Sequence, residues 1–228
     1  MDLSIIIPAY NEEKNIGILI DEIKKVVSKL NISYEIIVVD NYSQDKTPEI
    51  VNQSGALLVN QKDPGYGGAL KEGFKVACGE YFLTMDADLS HTPSFIVDLY
   101  ENRNKAEIII GSRYIENGKS ETFLIRKISS IFLNKIFAWV LKLPFKDLSS
   151  GFRLYNKKIF KTFQIKSRDF DVLEEILIFS YCNNFKIIEI PIHYKPRAYG
   201  KTHAKLIQFL ISYTKTLNRM KKLRNTHL

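Results

Sequence analysis

Short apolar runs alternate with helical patterns along the first half of the chain. The apolar runs are five or six residues long and rich in Ile, Val and Leu, which is typical of buried strands. Between them, apolar residues recur every three or four positions, as in an amphipathic helix. The predicted strands are residues 3–8, 35–40, 56–60, 81–85 and 107–111, and the predicted helices cover 13–30, a segment capped by Thr47, 65–78 and 93–100. This alternation predicts an α/β fold, with a mostly parallel, Rossmann-like sheet flanked by helices.

The regular alternation of strands and helices does not continue in the second half of the chain. The elements predicted there are an apolar helix with interspersed basic residues at 123–143, a turn at 149–153, a helix near 171–183, a strand at 187–192 and a basic amphipathic helix at 204–224. There is no internal repeat and no low-complexity linker. The chain is therefore predicted to be one domain, 1–228, with a first half of residues 1–115 and a second half of residues 116–228.

Polar residues follow three of the predicted strands. Tyr10, Asp40 and Asp86 each lie at or just past a strand end, and parallel sheets bind ligands beyond the carboxyl ends of their strands. In Asp86-Ala87-Asp88, two carboxylates two residues apart can face one ion, and hard oxygen ligands suit Mg²⁺ or Mn²⁺. A solvated acidic turn is the alternative, but the position directly after an apolar strand favours a metal-bound diphosphate.

Two further segments at predicted strand ends could contact a nucleotide. In the first, Pro8 to Glu12, the flat ring of Tyr10 could stack on a base, and Glu12 could accept hydrogen bonds from a base or ribose. An acidic residue at an ordinary helix start is the alternative. The second segment, Gly65-Tyr66-Gly67-Gly68, could allow backbone to approach a phosphate. It lacks the spacing of a Walker loop or a dinucleotide fingerprint.

The charge balance indicates an anionic partner. The formal net charge is +8 and the sequence pI is about 9.3, while 45% hydrophobic and 25% charged residues are ordinary for a globular protein. Four arginines lie in apolar or turn-like segments, where guanidinium groups could bind phosphate oxygens: Arg113, Arg126, Arg153 and Arg197. The alternative for each is an ion pair with an acid, the candidates being Asp147, Asp169, Asp171 and Glu174.

Two basic segments suggest a membrane surface as a partner. In residues 123–143, lysines and arginine interleave with Phe and Trp, as in helices that lie in a membrane interface. The tail adds a polybasic patch of Lys215, Arg219, Lys221, Lys222 and Arg224. A buried core helix and a solvated basic face are the alternatives. Neither a leader nor a spanning apolar run is evident, and the two cysteines have no disulfide or metal spacing, so we expect a cytoplasmic, peripherally membrane-associated protein.

Together these motifs resemble the GT-A-fold glycosyltransferases, and within them the dolichol-phosphate mannosyltransferase-like family. The resemblance rests on the order and spacing of short segments along nearly the whole chain. They are residues 5–12, 37–40 with Ser43 and Asp45, 67–69, 85–89, 111–114, Asp147 with 150–153, and 190–192 with Arg197, Gly200, Lys201 and Thr202.

The resemblance implies a role for each candidate site residue. Pro8, Tyr10, Glu12 and Asp40 would hold the nucleoside, and Asp86 and Asp88 would bind the diphosphate and a Mg²⁺ or Mn²⁺ ion. Arg113, Arg126, Ser130 and Arg197 would bind an acceptor phosphate, and Asp88 and Arg113 would be catalytic. Residues 1–115 would then form the nucleotide-sugar-binding half, and residues 116–228 the acceptor-binding and membrane-interface half.

The chain departs from the family pattern at three places. Asn41 stands where a second aspartate is frequent, which alters the contacts to base or ribose. Ser90 stands where many members have Gln, which leaves a third metal ligand open. Thr202-His203 replaces the usual Ser-Lys, which puts a phosphate-binding role of that loop in doubt.

The function expected from these motifs is inverting transfer of a hexose from a nucleotide diphosphate sugar, of GDP-mannose or UDP-glucose type, to a dolichyl or undecaprenyl phosphate at the cytoplasmic membrane face. A glycan or lipid-linked sugar hydroxyl is the alternative acceptor. A sugar-phosphate nucleotidyltransferase and a non-catalytic membrane-docked module are weaker alternatives. The expected partners are the nucleotide sugar, the polyprenyl phosphate and an anionic membrane surface, with a membrane subunit also conceivable and no nucleic acid.

Overall fold

The computed structural model describes residues 1–198 and 216–225, apart from the side chains of residues 125 and 126. The strands are β1 (Leu3–Ala9), β2 (Tyr34–Asp40), β3 (Leu57–Asn60), β4 (Tyr81–Thr84), β5 (Ile108–Ser112), β6 (Lys119–Ser120), β7 (Arg153–Asn156), β8 (Ile187–Pro191) and β9 (His193–Tyr194). The α-helices are α1 (Ile16–Val27), α2 (Thr47–Ser54), α3 (Tyr66–Val76), α4 (Phe95–Glu101), α5 (Leu124–Leu141) and α6 (Val172–Cys182). The chain is again helical at 216–225.

Seven strands form one sheet in the order β3-β2-β1-β4-β7-β5-β8. Strand β7 is antiparallel to β4 and β5, and the other neighbours are parallel. The register places Ala9 opposite Asp40 and Ile6 opposite Thr84. Because the parallel strands β1, β2 and β4 all end toward the same edge of the sheet, the residues that follow them meet there. Strands β6 and β9 form a separate parallel pair.

Alternate side chains of β1 belong to cores on opposite faces of the sheet. Ile5 and Ile7 are fully buried in a cluster that contains apolar residues of α1 and α4. Ile6 is buried in a second cluster with residues of α3, α5 and α6, and Met220 from the C-terminal helical segment belongs to it as well. A strand that is apolar on both faces is typical of a sheet covered by helices on both sides, as the sequence predicts.

Three strands are not predicted from the sequence: the short strands β6 and β9, and β7 in the middle of the seven-stranded sheet. Strand β7 is only four residues long and contains a charged residue, Arg153, which is fully buried. The guanidinium donates to the carbonyl oxygens of Leu148 and Leu173, so the charge is hydrogen-bonded within the protein. A strand that depends on such long-range contacts has no local hydrophobic pattern to reveal it.

The start of α2 also differs from the prediction. Thr47 is the first helical residue, and its backbone N–H and side-chain hydroxyl both donate to the carboxylate of Asp45. The cap that the sequence assigns to Thr47 is therefore supplied by Asp45. The Thr47 hydroxyl instead accepts a hydrogen bond from the backbone N–H of Glu12, which ties this helix start to the end of β1.

The C-terminal tail is described only in part. Of the helix predicted at 204–224, residues 216–224 are described and helical, whereas 204–215 and the resembling positions Gly200, Lys201 and Thr202 lie outside the described residues. Within the described part of the chain, no helix has the length and apolar character needed to cross a membrane. The assignment of residues 1–115 and 116–228 to separate roles stays a prediction.

Candidate active site

A cleft of about 440 Å³ opens at the carboxyl edge of β1, β2 and β4. Its walls come from the residues after β1 and β4, the start of α3 and a loop before α6. The residues that line it are Pro8, Ala9, Tyr10, Glu12, Asn41, Gln61, Gly65, Tyr66, Ala69, Asp86, Ala87, Asp88, Phe170 and Arg197. The structure thus brings together six residues predicted from the sequence, namely Pro8, Tyr10, Glu12, Asp86, Asp88 and Arg197.

The two aspartates after β4 are bound very differently. Asp88 is buried, and its Oδ1 accepts hydrogen bonds from the backbone N–H and the hydroxyl of Ser90 at 3.0 and 2.5 Å. Its Oδ2 accepts from Nε of Arg197 at 2.9 Å. Asp86 is half-buried, and its Oδ1 lies 3.5 Å from the hydroxyl of Tyr66. Asp88 is therefore held in place by the protein, and Asp86 retains most of its capacity to accept.

The same contacts set the charge of the pair. Burial raises the pKa of Asp86, and nearby cationic groups offset this only in part. Burial also acts to raise the pKa of Asp88, but the hydrogen bonds from Ser90 and the charge of Arg197 outweigh it and hold that pKa below its usual range. Burial lowers the pKa of His91, whose Nδ1 accepts a hydrogen bond from the backbone N–H of Asp86 at 3.1 Å. The neutral imidazole of His91 therefore supports the turn that follows β4.

A divalent cation fits this pair of carboxylates. Asp86 has free acceptor capacity in a setting where burial disfavours its own charge, and a cation would relieve that cost. Among the described residues no group of three or more His, Cys, Asp or Glu side chains could hold a metal ion by itself. Two protein carboxylates would leave coordination positions for the oxygens of a bound diphosphate, which is how Mg²⁺ is often held.

The part of the cleft predicted to hold a nucleoside is built from the ends of β1 and β2. Tyr10 is 47% exposed, so its ring is free to stack on a base. Burial raises the pKa of Glu12, while a hydrogen bond from the side-chain amide of Asn15 offsets part of this. Asp40 is buried, and both its oxygens accept from Ser43. Asp40 therefore holds the turn after β2 and is not among the described residues that line the cleft. The neighbouring Asn41 lines it instead.

A loop before α6 forms a wall that the sequence does not predict. Phe170 stacks on Tyr66, with ring centroids 4.5 Å apart and an interplanar angle of 15°. The backbone N–H of Gly68 donates to the carbonyl oxygen of Arg168 at 3.2 Å. A Cβ atom on Gly67 would lie 2.5 Å from the carbonyl oxygen of Ser167. These glycines therefore allow the start of α3 to lie close to the backbone of this loop. Only Tyr66, inside the glycine-rich segment, carried a sequence signal.

The loop is anchored from behind by the C-terminal helical segment. The guanidinium of Arg219 donates to the hydroxyl of Ser167 at 2.7 Å and pairs with the carboxylate of Asp171. The carboxylate of Glu175 accepts from the backbone N–H groups of Lys166 and Ser167. A residue predicted to belong to a membrane-facing patch, Arg219, is therefore in contact with a wall of the cleft.

Arg113 lies behind the aspartates in a buried ion pair. Its Nε and Nη2 donate to the two oxygens of Asp147 at 2.8 and 2.7 Å, and Nη2 also donates to Ser149 at 2.8 Å. Burial acts against the charge, but Asp147 outweighs it and raises the pKa of Arg113. The charge of Arg113 in turn offsets part of the rise in the pKa of Asp86 that burial causes, so this cation acts on the aspartate pair while it is itself neutralised.

A side-chain network joins Arg113 to α5. Asn134 donates to Ser149 at 3.0 Å and to the backbone carbonyl of Ser130 at 2.8 Å, and the hydroxyl of Tyr114 donates to that of Ser130 at 2.8 Å. Arg113 and Ser130 are thus linked through Ser149 and Asn134, and their role toward an acceptor phosphate stays a prediction. The side chain of Arg126, one turn before Ser130, lies outside what the structure describes. Asn134 was missed, although its one-turn spacing from Ser130 was visible in the sequence.

The fold and the acidic cleft define a GT-A protein, in which a mostly parallel sheet presents a pair of aspartates at its carboxyl edge. The chain belongs to glycosyl transferase family 2, whose sequence profile matches residues 4–163. This membership confirms the resemblance seen in the sequence.

The chain is similar to two curated relatives over most of its length. It is 36% identical over 216 residues to a dolichol-phosphate mannosyltransferase of Pyrococcus furiosus, which covers 90% of the chain and 60% of the relative. It is 27% identical over 206 residues to an undecaprenyl-phosphate 4-deoxy-4-formamido-L-arabinose transferase of Photorhabdus laumondii, which covers 87% of the chain and 61% of the relative. The chain therefore spans about three fifths of the length of these relatives.

Solved structures confirm the fold. The glucosyl-3-phosphoglycerate synthase of Mycobacterium tuberculosis, in complex with Mn²⁺, UDP and glucosyl-3-phosphoglycerate, superposes with a TM-score of 0.73 at 20% identity. The match covers 98% of this chain and 79% of that one. A structure of the same enzyme with Mg²⁺ and UDP also gives a TM-score of 0.73, at 18% identity.

Proposed function

We propose that this chain transfers a hexose, with inversion, from a nucleotide diphosphate sugar to a polyprenyl phosphate. The observation that carries the proposal is the placement of Asp86 and Asp88 in one cleft with the exposed ring of Tyr10. Family 2 membership and the two polyprenyl-phosphate relatives support both halves of the reaction.

The donor half of the reaction follows from the cleft. The base would stack on Tyr10, with Glu12 available to accept its hydrogen bonds or those of the ribose. Asp86 and Asp88 would hold Mg²⁺ or Mn²⁺, which when bound neutralises charge on the departing diphosphate. Relatives of the same fold hold Mn²⁺ or Mg²⁺ together with UDP. The pair of carboxylates supports a metal-dependent donor site of this kind.

The acceptor half of the reaction follows from the cations beside the cleft. An oxygen of the acceptor phosphate would form the bond to the anomeric carbon, and the nucleoside diphosphate would leave from the opposite face with the bonding electron pair. Because the second pKa of a phosphate monoester is about 6, this nucleophile needs positioning more than a base. We propose that the acceptor phosphate is positioned by Arg126, Ser130 and Arg197, and by some of the N–H groups of Arg113.

A sugar hydroxyl as the acceptor would need a general base, and the three acids considered for this role in the second half of the chain, Asp147, Glu174 and Glu175, are poorly placed for it. Asp147 is paired with Arg113, and Glu175 accepts from two backbone N–H groups. Glu174 is buried. None of the three is among the described residues that line the cleft. This arrangement favours a phosphate acceptor.

We further propose that the reaction takes place at the cytoplasmic face of a membrane. The exposed face of α5 carries Ile128, Phe132 and Trp139, which are 57%, 63% and 81% exposed. Their spacing of four and seven residues puts them on one side of the helix, and apolar side chains there would lie in a membrane interface. Two free cysteines, Cys78 and Cys182, agree with a reducing compartment. A separate membrane subunit stays a prediction.

A donor panel tests the function. The purified chain is incubated with GDP-mannose, UDP-glucose and related sugars, with a short-chain polyprenyl phosphate in detergent and with Mn²⁺ or Mg²⁺. We expect one donor to be transferred to the lipid phosphate, and chelation of the metal to abolish transfer. Transfer to a glycan hydroxyl, with none to the lipid phosphate, would contradict the proposed acceptor.

A further inference from the structure

A basic groove lies between the end of α5 and the C-terminal helical segment, away from the proposed donor cleft. It has a volume of about 660 Å³ and is lined by Trp139, Val140, Lys142, Lys221, Arg224 and Asn225. Among the described residues, none of its three cationic side chains forms an ion pair. The groove therefore concentrates uncompensated positive charge, which attracts an anion.

Arg224 is the residue that makes this groove a candidate binding site. The residue is 8% exposed, and its guanidinium lies 5.7 Å from the ring centre of Tyr181. Its Nε and Nη1 are buried without a hydrogen-bond partner among the described residues. Unpaired buried N–H groups are costly, and a guanidinium presents its donors in a fork that matches a phosphate group. The unmet donors indicate that an anionic oxygen ligand belongs here.

The neighbouring surface identifies the source of the anion. Trp139 is 81% exposed at the groove and continues the apolar face formed by Ile128 and Phe132. A site for a free phosphate ion has no need of exposed aromatic side chains, whereas tryptophan is enriched at the level of lipid headgroups. The combination of an indole, two lysines and a buried arginine fits the phosphate of a membrane lipid.

We propose that this groove is a headgroup site for an anionic phospholipid, distinct from the residues assigned to the acceptor phosphate. Arg224 would bind the phosphate oxygens through its unpaired N–H groups, Lys142 and Lys221 would add charge, and Trp139 would lie among the first carbons of the acyl chains. The site deepens the membrane docking proposed above and rests on it, but it does not depend on the donor chemistry.

Trp139 offers a direct measurement because it is the single tryptophan of the chain. The full chain is titrated with zwitterionic phosphatidylcholine vesicles, with vesicles containing phosphatidylglycerol, and with inorganic phosphate. We expect a clearly larger shift of the emission to shorter wavelength with the anionic vesicles than with the zwitterionic ones, and none with inorganic phosphate. A full response to zwitterionic vesicles, or to inorganic phosphate, would overturn the lipid assignment.

Matched variants separate a site from diffuse charge. Lys222→Gln removes an exposed charge outside the groove and should weaken anionic-vesicle binding about fivefold, as for any surface cation. Arg224→Gln should weaken it about thirtyfold or more, and Arg224→Lys should restore little of this because lysine lacks the fork. Equal losses in Arg224→Gln and Lys222→Gln, or full binding by Arg224→Lys, would overturn the site.

Two further measurements keep the headgroup site testable if a variant fails to fold or the chain does not bind vesicles. If Arg224→Gln does not fold, Lys142→Gln tests the other wall of the groove, because this side chain is exposed and its replacement should not disturb folding. Lys142→Gln should lose clearly more vesicle binding than Lys222→Gln, and an equal loss counts against the site. Transfer to a short-chain polyprenyl phosphate in detergent is measured in parallel. Retained transfer with no vesicle response would refute the headgroup site while leaving the proposed function intact.

Discussion

Asp86 and Asp88 lie two residues apart and serve the cleft in different ways. Asp88 accepts three hydrogen bonds, from Ser90 and Arg197, which fix its orientation before any ligand arrives. The carboxylate of Asp86 has long contacts, to the hydroxyl of Tyr66 at 3.5 Å and to Nδ1 of His91 at 3.8 Å, and burial raises its pKa. A prepositioned carboxylate beside one with free acceptor capacity suits a metal that must be bound together with its nucleotide.

Amide substitution of either aspartate should abolish most of the transfer. Asp86→Asn and Asp88→Asn each remove a charge that the cation needs, so we expect transfer to fall about a hundredfold or more. The affinity for a Mn²⁺–nucleotide complex, measured by calorimetry, should fall as well. Asp98→Asn, an exposed acid of α4, is the control. Full metal-dependent activity in Asp88→Asn would show the metal assignment to be wrong.

Glu174 is a buried acid with a consequence for stability. Burial raises its pKa to about 7, and the charge of Arg153 offsets this only in part. Between about pH 4.5 and pH 7 the folded protein keeps a proton that the unfolded chain releases. The free energy of unfolding attributable to this group therefore falls as the pH rises through that window.

Glu174→Gln should remove this pH dependence. The glutamine cannot ionise, so the variant should gain stability relative to the native chain as the pH rises from 5 to 8, by roughly 1–3 kcal/mol. Urea unfolding at several pH values measures the difference. Glu101→Gln, an exposed acid, should show no such gain, and a parallel pH profile in native chain and Glu174→Gln would refute the explanation.

At the scale of elements, the wall of the proposed donor cleft is held by a segment remote in sequence. The helical segment 216–225 contributes Met220 to the core and Arg219 to the loop before α6. That loop contacts the glycine-rich start of α3 through Gly68 and stacks Phe170 on Tyr66. The contacts form a continuous path from the tail to Asp86, because the Tyr66 hydroxyl lies 3.5 Å from its Oδ1.

Loss of the Arg219 anchor should therefore affect donor binding. We expect Arg219→Gln to raise the KM for the nucleotide sugar roughly three- to tenfold, as for loss of a partly exposed charge-assisted hydrogen bond, with little change in kcat. Asp171→Asn should behave alike, and the double variant should be no worse than either single one. Lys222→Gln is the charge-matched control. An unchanged KM in Arg219→Gln, with normal folding, would mean that the anchor serves stability alone.

At the scale of the whole molecule, the two halves of the chain present different surfaces. The carboxyl edge of the sheet gathers the acids of the cleft, whereas α5 and segment 216–225 carry exposed lysines and aromatic residues. A net charge of +8 attracts the chain to an anionic surface. The apolar face of α5 would supply binding that salt does not screen.

Removing that apolar face should release the chain from vesicles. Phe132→Ser with Trp139→Ser removes two aromatic side chains, each worth roughly 2 kcal/mol when transferred from water, so partitioning measured by flotation should fall more than about tenfold. Nucleotide binding should be unchanged. Tyr42→Ser, an aromatic 61% exposed beyond β2, serves as the control. Retention of the double variant on vesicles at high salt would contradict a docking role for α5.

The sequence alone determined the parts whose causes are local. Buried parallel strands are apolar throughout, so β1, β2, β4 and β5 and the fold class could be predicted from pattern, and the acids after these strands marked the cleft. The polar cluster at the strand ends was predictable because parallel strands must end on one edge.

Only the tertiary structure decided which side chains are free to act. It pairs Arg113 with Asp147, commits Asp40 to Ser43, inserts β7 with the buried Arg153, and turns Arg219 from a surface charge into an anchor of the cleft wall. These outcomes depend on contacts between residues far apart in the chain, and the energy of a charge depends on its partners and burial. No local pattern carries that information.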